Sequence, residues 1–155
     1  MKSLSVLILA VLLAPAVSAE TVLICHAQSV PVDLTGTFKS PLASTLLEGV
    51  FDYYFNKGDI AFDTPFSLAD GVPTPGWLGT LSNRFGADKV VYVQVIWKSG
   101  ASGEAVLDRV DYQVVAPRGT VLREGSLSAE LVSPSTDEQK EIQEVTGKVV
   151  KGLAS

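Results

Sequence analysis

The sequence predicts an α/β (α+β) sandwich, in which two longer helices and one short helix pack on a mixed sheet of about five strands. Three observations favour this fold. Residues 89–97 are apolar at nearly every position, as in a strand covered on both faces. Residues 109–116 alternate between apolar and polar, and a Pro-Arg-Gly turn leads into residues 120–128, which indicates a hairpin. Apolar residues recur at helical spacing after Ser40 and again near the C-terminus. The predicted order is therefore β-α-β-α-β-β-β-α.

Residues 1–19 have the features of a secretory signal peptide. A basic residue, Lys2, precedes an apolar run over residues 4–17, and small residues lead up to Ala19. The run is shorter than the roughly 20 residues that span a bilayer. We expect cleavage after Ala19, a single α/β domain over residues 20–155, and a periplasmic or secreted location without a transmembrane anchor.

Cys25 is the only cysteine of the chain. A lipid anchor at this position is disfavoured, because the bulky Ile24 stands where such anchors need a small residue. No intramolecular disulfide can form, although a bridge between two chains would make a homodimer. The apolar segment around Cys25 favours the simpler interpretation, a buried thiol.

The first half of the domain is predicted as strand, helix and strand. Residues 21–27 are β-branched and apolar, which indicates a short buried strand. Ser40 is a helix N-cap with Pro41 at the first helical position, and the helix runs to Gly58. Residues 59–63 then form a strand. The apolar stripe of the helix comprises Leu42, Leu46, Leu47, Val50, Phe51, Tyr54 and Phe55.

The second half begins with a loop rich in proline and glycine. Thr74 and Pro75 start a short helix that ends at Gly86. The three strands of the predicted meander follow. The last helix begins near Ser135 and Thr136, each followed three residues later by an acid or amide, as in a capping box. Its apolar stripe comprises Ile142, Val145, Val149, Val150 and Leu153.

The residues needed for catalysis are scarce. Cys25 and His26 are adjacent on a strand, so their side chains point to opposite faces and cannot form a thiol-imidazole dyad. Ser102 lacks the Gly-x-Ser-x-Gly spacing of a nucleophile elbow. Glu48 and Asp52 stand one helical turn apart and are interpreted as a solubilising pair. We predict no catalytic residue, no metal site and no cofactor, and hence no enzyme.

Net charge restricts the partners. The formal charge of −5 repels phosphate backbones, so nucleic acid is not expected to bind. Asp59, Asp63 and Asp70 lie near loops and could hold a cation or a small ligand, or support weak hydrolysis. Their spacing does not match a calcium-binding loop of twelve residues. Solvated turn aspartates are the simpler interpretation.

Three residues are predicted to bind a partner. Trp77 follows a proline-rich loop at a helix start, where a rigid aromatic side chain can anchor a contact. The alternative is that Trp77 attaches the short helix to the core. Tyr53 lies off the apolar stripe of the first helix and is expected to be exposed. Arg123 lies in residues 120–128, which are interpreted as an edge strand that offers backbone groups for strand addition.

The layout resembles a group of envelope domains. A long helix ending in Phe-Asn-Lys-Gly leads into a short strand over residues 55–62, and Phe-Gly-Ala-Asp, residues 85–88, leads into the apolar strand. This pattern is similar to domains related to the curli-secretion protein CsgG, to the lipoprotein activators of penicillin-binding proteins, and to the amino-terminal domain of TolB. The chain departs from the lipoprotein members because it lacks an anchor cysteine. The resemblance carries no functional residue across.

The resemblance implies a non-enzymatic binding domain that acts as an adaptor or assembly part in the cell envelope. The leading hypothesis is thus an exported module that docks on another envelope protein through its edge strand or the loop at Trp77. The alternative is a small-ligand or cation carrier, or a weak hydrolase, that uses the loop carboxylates.

Overall fold

The computed structural model describes residues 18–34, 38–65, 72–132 and 137–155. It confirms the predicted fold class and the order of the main elements. Two single-turn 3-10 helices, Val32–Leu34 and Ala129–Leu131, are added. The main elements are β1 (Thr21–Ser29), α1 (Leu42–Asn56), β2 (Ile60–Pro65), α2 (Pro75–Phe85), β3 (Lys89–Ser99), β4 (Ala105–Val115), β5 (Val121–Ser128) and α3 (Glu138–Ala154).

The sheet is mixed and has the strand order β2-β1-β3-β4-β5. β1 pairs in parallel with both β2 and β3, because α1 and α2 return the chain to the same end of the sheet. β3, β4 and β5 then form an antiparallel meander. β5 therefore lies at one edge of the sheet, and β2 lies at the other.

The two faces of the sheet are covered unequally. α1 and α3 pack on one face, where Val22 and Ile24 of β1 lie in the larger core cluster. On the other face Leu23 and Cys25 meet α2 in a smaller cluster. Because consecutive residues of a strand point to opposite faces, β1 and β3 must be apolar at almost every position. That requirement explains the continuous apolar pattern of residues 89–97.

Local capping signals locate the helix starts closely. The Ser40 hydroxyl accepts a hydrogen bond from the Leu42 N–H at 3.2 Å, and α1 begins one residue after the predicted Pro41. The Thr74 hydroxyl accepts one from the Trp77 N–H at 3.2 Å. Gly86 ends α2 with a φ of 65°, a left-handed conformation that glycine adopts without strain.

Two elements start two or more residues away from their predicted positions. α3 begins at Glu138, two to three residues later than expected, because the Asp137 carboxylate accepts from the Gln139 N–H and caps the helix there. The capping box at residues 135–136 lies outside the described residues, as do Asp70 and residues 1–17 of the predicted signal peptide. β4 begins at Ala105, ahead of the predicted residue 109.

A register shift explains why the sequence pattern did not indicate that β4 begins at Ala105. The pairing of β3 with β4 is irregular between Ile96 and Trp97. Leu107 and Val110, three residues apart, therefore both lie in the larger core cluster. Three-residue spacing breaks the alternation that identifies a strand from sequence.

Cys25 is fully buried, and its thiol is expected to be chemically inert in the folded protein. Burial raises the pKa of Cys25 from 9.0 to about 12, so little thiolate forms at neutral pH. We expect iodoacetamide at pH 8 to modify Cys25 only in urea-unfolded protein, as followed by mass spectrometry. Rapid modification of the native protein would contradict this burial.

The Cys25 thiol also makes the free energy of unfolding depend on pH. The unfolded thiol loses its proton near pH 9, whereas the folded thiol holds its proton up to about pH 12. The unfolded state therefore binds fewer protons in this window, and the Cys25 contribution to stability falls as pH rises through it. The variant C25A should lose less stability between pH 9 and pH 11 than the wild type in urea titrations. An equal loss in both proteins would exclude Cys25 as a source of the pH dependence.

Candidate binding site

Two of the three predicted binding residues lie together. Tyr53, near the end of α1, and Arg123, in β5, line the same cavity of about 200 Å³. The cavity lies where the C-terminal ends of α1 and α3 meet the edge strand β5. We call it the basic pocket. Its lining residues are Tyr53, Tyr54, Lys57, Lys89, Val114, Leu122, Arg123, Leu153 and Ala154.

Aromatic rings and ammonium groups are stacked in this pocket. The rings of Tyr53 and Tyr54 meet edge to face, with centroids 4.9 Å apart and an interplanar angle of 73°. Lys57 Nζ lies 5.3 Å from the Tyr53 centroid and 5.8 Å from that of Tyr54. Lys89 Nζ lies 5.1 Å from the Tyr54 centroid. These distances are within the range of cation–π attraction, so the rings help to hold both ammonium groups at the pocket.

Tyr53 is half-buried, and the expectation that it is exposed was wrong. Its ring packs against the edge of the larger core cluster. The Tyr53 ring also meets the Tyr54 ring and shares a cavity lining with Leu153 of α3, a tertiary arrangement that the helical periodicity of α1 does not reveal.

Arg123 is also half-buried rather than freely exposed on the strand. Its guanidinium donates a hydrogen bond to the Leu153 carbonyl in the last turn of α3. A cation at this position complements the negative end of the helix dipole. The guanidinium has five N–H donors, so others remain for a second partner.

The charges in the basic pocket are only partly compensated. Lys89 forms an ion pair with Glu20. The Asp59 carboxylate accepts from the Glu20 N–H at 3.2 Å and also lies near Tyr54. Within the described part of the chain, neither Lys57 nor Arg123 has a carboxylate partner.

Tyr54 is a neutral hydroxyl at physiological pH. Burial raises its pKa well above the usual value, and the nearby Tyr53 raises it further. Arg123 opposes these effects and lowers the pKa, but it does not reverse the shift.

Trp77 lies apart from the basic pocket, in the first turn of α2. Its side chain is 44% exposed, whereas the neighbouring Leu78 is fully buried. Leu78 and Leu81 are the side chains that attach α2 to the smaller core cluster. Trp77 therefore presents much of its indole to solvent.

The acidic residues considered for a ligand or for hydrolysis are dispersed. Glu48, Asp52 and Asp63 are exposed. Asp59 and Asp63 lie about 13 Å apart along the chain at 3.3 Å per residue. Among the residues described, no three His, Cys, Asp or Glu side chains lie close enough to hold a metal ion.

Cys25 and His26 occupy opposite faces, as the strand geometry requires. Cys25 lies in the smaller core cluster, and His26 lies beside Ala43 and Leu47 of α1. His26 Nδ1 is buried and has no hydrogen-bond partner in the part of the chain described. The two side chains cannot act on one substrate.

A second cavity of about 230 Å³ lies at the N-terminal ends of α1 and α3. Its wall is about equally polar and apolar and includes Leu42, Trp97 and Ile142 together with Glu138 and Glu141. No basic side chain of the described residues lines this cavity. The basic pocket differs because it combines incompletely compensated charge with an edge strand.

Sequence reasoning missed Lys57, Lys89 and Tyr54. Lys57 and Tyr53 are four residues apart, so the spacing on α1 could have linked them. Lys89 reaches the same place only because β3 pairs with β1, whose start adjoins the end of α1. No local pattern in the sequence predicts that Lys89 lies at the basic pocket.

Comparisons with known proteins show the fold but not a family. No protein-family model matches the chain, and no curated protein matches it. A Helicobacter pylori structure described as a neuraminyllactose-binding hemagglutinin homolog is 11% identical, with 88% of this chain and 86% of that chain covered and a TM-score of 0.51.

Two further solved structures are similar in layout. The PelC dodecamer from Paraburkholderia phytofirmans is 15% identical over 87% of each chain, with a TM-score of 0.47. The LpoB C-terminal domain from Escherichia coli is 17% identical, covers 82% of this chain and 93% of that chain, and has a TM-score of 0.39. Both TM-scores lie below 0.5, so neither match assigns a role to this chain.

Proposed function

We propose that this chain is an exported, non-enzymatic binding module of the cell envelope, which docks on another envelope protein along the free edge of β5. The observation that carries the proposal is the position of the basic pocket directly beside an edge strand. An edge strand presents unpaired backbone N–H and C=O groups, which a partner strand can pair with, while neighbouring pockets select its side chains.

The adjoining basic pocket, rather than side-chain exposure, distinguishes the β5 edge from β2, where Ile60 is also 60% exposed. Val121 and Leu122 are 37% and 57% exposed, and Leu122 also lines the basic pocket. An added strand would cover these apolar groups and place alternate side chains toward the pocket. β2 spans only six residues, against eight in β5.

Export is supported by the signal-peptide pattern of residues 1–19. Over the described residues, none of the helices has the length and apolar character needed to span a bilayer. A periplasmic or secreted location follows as part of the proposal. The dispersion of the acidic groups supports a binding role over catalysis.

The carrier alternative would use the basic pocket and not the loop carboxylates. Asp59 Oδ1 accepts from the Glu20 N–H, its Oδ2 is buried without a hydrogen-bond partner among the residues described, and Asp63 is exposed four residues away on β2. A small anion is the ligand that the three basic side chains of the pocket would suit.

Site-specific photo-crosslinking in the native host tests the docking edge. A photo-crosslinking amino acid is placed at Leu122 on β5 and, as the matched control, at Ile60 on β2, which is 60% exposed. We expect position 122 to trap one envelope protein in high yield and position 60 to trap little. Equal capture at both edges, capture of a second copy of the chain alone, or no capture at position 122 would reject the proposal.

A further inference from the structure

We infer that the basic pocket binds a carboxylate group carried by the partner segment that docks along β5. This inference rests on the proposed docking edge and adds the chemistry by which the partner is selected. It follows from three features of the pocket: its uncompensated cations, its charge balance and its size.

The first feature is that two cations face the cavity without a carboxylate. Lys57 and Arg123 both line the pocket, and neither forms an ion pair within the part of the chain that is described. The protein as a whole is acidic, with a formal charge of −5. A local cluster of basic side chains in an acidic protein creates a potential that attracts anions to that place.

The second feature is the charge balance at the pocket. Three basic side chains line it, while Glu20 pairs with Lys89 and the Asp59 carboxylate accepts from the Glu20 N–H. Both acidic groups are therefore engaged, and the positive charge of Lys57 and Arg123 is in excess. A docking strand carries negative charge as an Asp or Glu carboxylate, so a carboxylate is the anion that the proposed partner supplies.

The third feature is the shape and chemistry of the cavity. Its volume of about 200 Å³ accommodates the end of an Asp or Glu side chain, since one water molecule takes up about 30 Å³. The N–H groups of Arg123 that do not bond Leu153 form a planar fork suited to a carboxylate. Lys57 supplies a second cation to the lining, and Leu122 of the docking edge lines the same cavity.

A titration of the mature protein with glutarate measures the pocket independently of any partner. Amide NMR spectra are recorded at constant ionic strength, with sodium chloride replaced by glutarate. We expect saturable shifts near residues 57, 122–123 and 153–154, and at least about tenfold weaker binding in K57Q/R123Q. The control K39Q/R118Q removes two positive charges from exposed positions away from the pocket and should bind as the wild type does.

Three outcomes would overturn the carboxylate inference. One is the absence of saturable shifts, and another is equal weakening in the two double variants. The third is tighter binding of inorganic phosphate than of glutarate at the same ionic strength.

Because R123Q also removes the bond to Leu153, the exposed single variant K57Q is titrated too, and its unchanged thermal unfolding shows that the fold is retained.

Photo-crosslinking at position 122 in the K57Q background separates this inference from the proposed function. We expect the yield of trapped partner to fall severalfold relative to the wild-type background. If the yield of trapped partner does not fall, the pocket does not select the partner, and the proposal that the partner docks along β5 is retained. Glutarate binding without any captured partner rejects the docking edge and leaves the pocket as a site for a free small carboxylate.

Discussion

Gly79→Ala is expected to destabilise the protein by about 1–3 kcal/mol, because the added methyl group meets backbone rather than a movable side chain. A Cβ at Gly79 would lie 2.8 Å from Gly119 Cα and 2.9 Å from the Pro117 carbonyl oxygen. That turn is braced by the Asn83 side chain, which donates to the Pro117 oxygen at 2.8 Å. α2 would have to move away from the β4–β5 turn, and the orientation of the docking edge would change with it.

Gly76→Ala is the matched control for this variant. Gly76 lies one turn earlier in α2, and a Cβ there meets no atom within 4 Å. Alanine is the better helix former by up to about 1 kcal/mol, so Gly76→Ala should be neutral or stabilising. Urea unfolding followed by circular dichroism measures both variants. If Gly79→Ala proved as stable as Gly76→Ala, the close packing of α2 on the turn would be wrong.

The second large effect is expected at Gly152 in α3. A Cβ added there overlaps the Tyr112 hydroxyl and lies 2.7 Å from Tyr112 Cζ. The same end of the ring lies against Gly125 of β5, so the tyrosine has little room to move. We expect Gly152→Ala to cost about 1–3 kcal/mol through overpacking. α3 would shift away from β5, and Leu153 with the wall of the basic pocket would shift with it.

Gly147→Ala in the same helix provides the comparison. Gly147 is exposed, and a Cβ there meets nothing within 4 Å. This change should stabilise the protein by up to about 1 kcal/mol, since only helix propensity is altered. Thermal unfolding should therefore move in opposite directions for the two variants. A second change, Tyr112→Phe, should restore part of the stability lost in Gly152→Ala, because it removes the hydroxyl that overlaps most closely. If Tyr112→Phe restored no stability, the added methyl group would not clash with the tyrosine hydroxyl.

Local signals account for the parts of the fold that the sequence predicts well. Ser40 lies two residues before α1 and Thr74 is the N-cap of α2, and their hydroxyls accept N–H groups of the first helical turns. The continuous apolar pattern of β3 reflects burial on both faces, which depends only on its own residues and on the alternation of a strand. Where a bulge interrupts the alternation, as at Leu107, the same reasoning failed.

The candidate site was predictable only in part. Tyr53 could be nominated because it lies off the apolar stripe of α1, and Arg123 because its strand was interpreted as an edge strand. Their meeting, and the presence of Lys57 and Lys89 beside them, depends on where the ends of α1, α3 and β5 come together. Contacts between residues far apart in the chain leave no periodic trace in the sequence.

The sequence by itself determined the order of the strands and helices, the starts of α1 and α2, the burial of Cys25, and the separation of Cys25 from His26. Each of these depends on the spacing of neighbouring residues and on the geometry of a strand or helix. The tertiary structure alone decided that β1 lies between β2 and β3, that α1 and α3 share one face, and that three basic side chains converge beside an edge strand. These features arise from packing between distant segments, where buried area and strand pairing, rather than local pattern, select the arrangement.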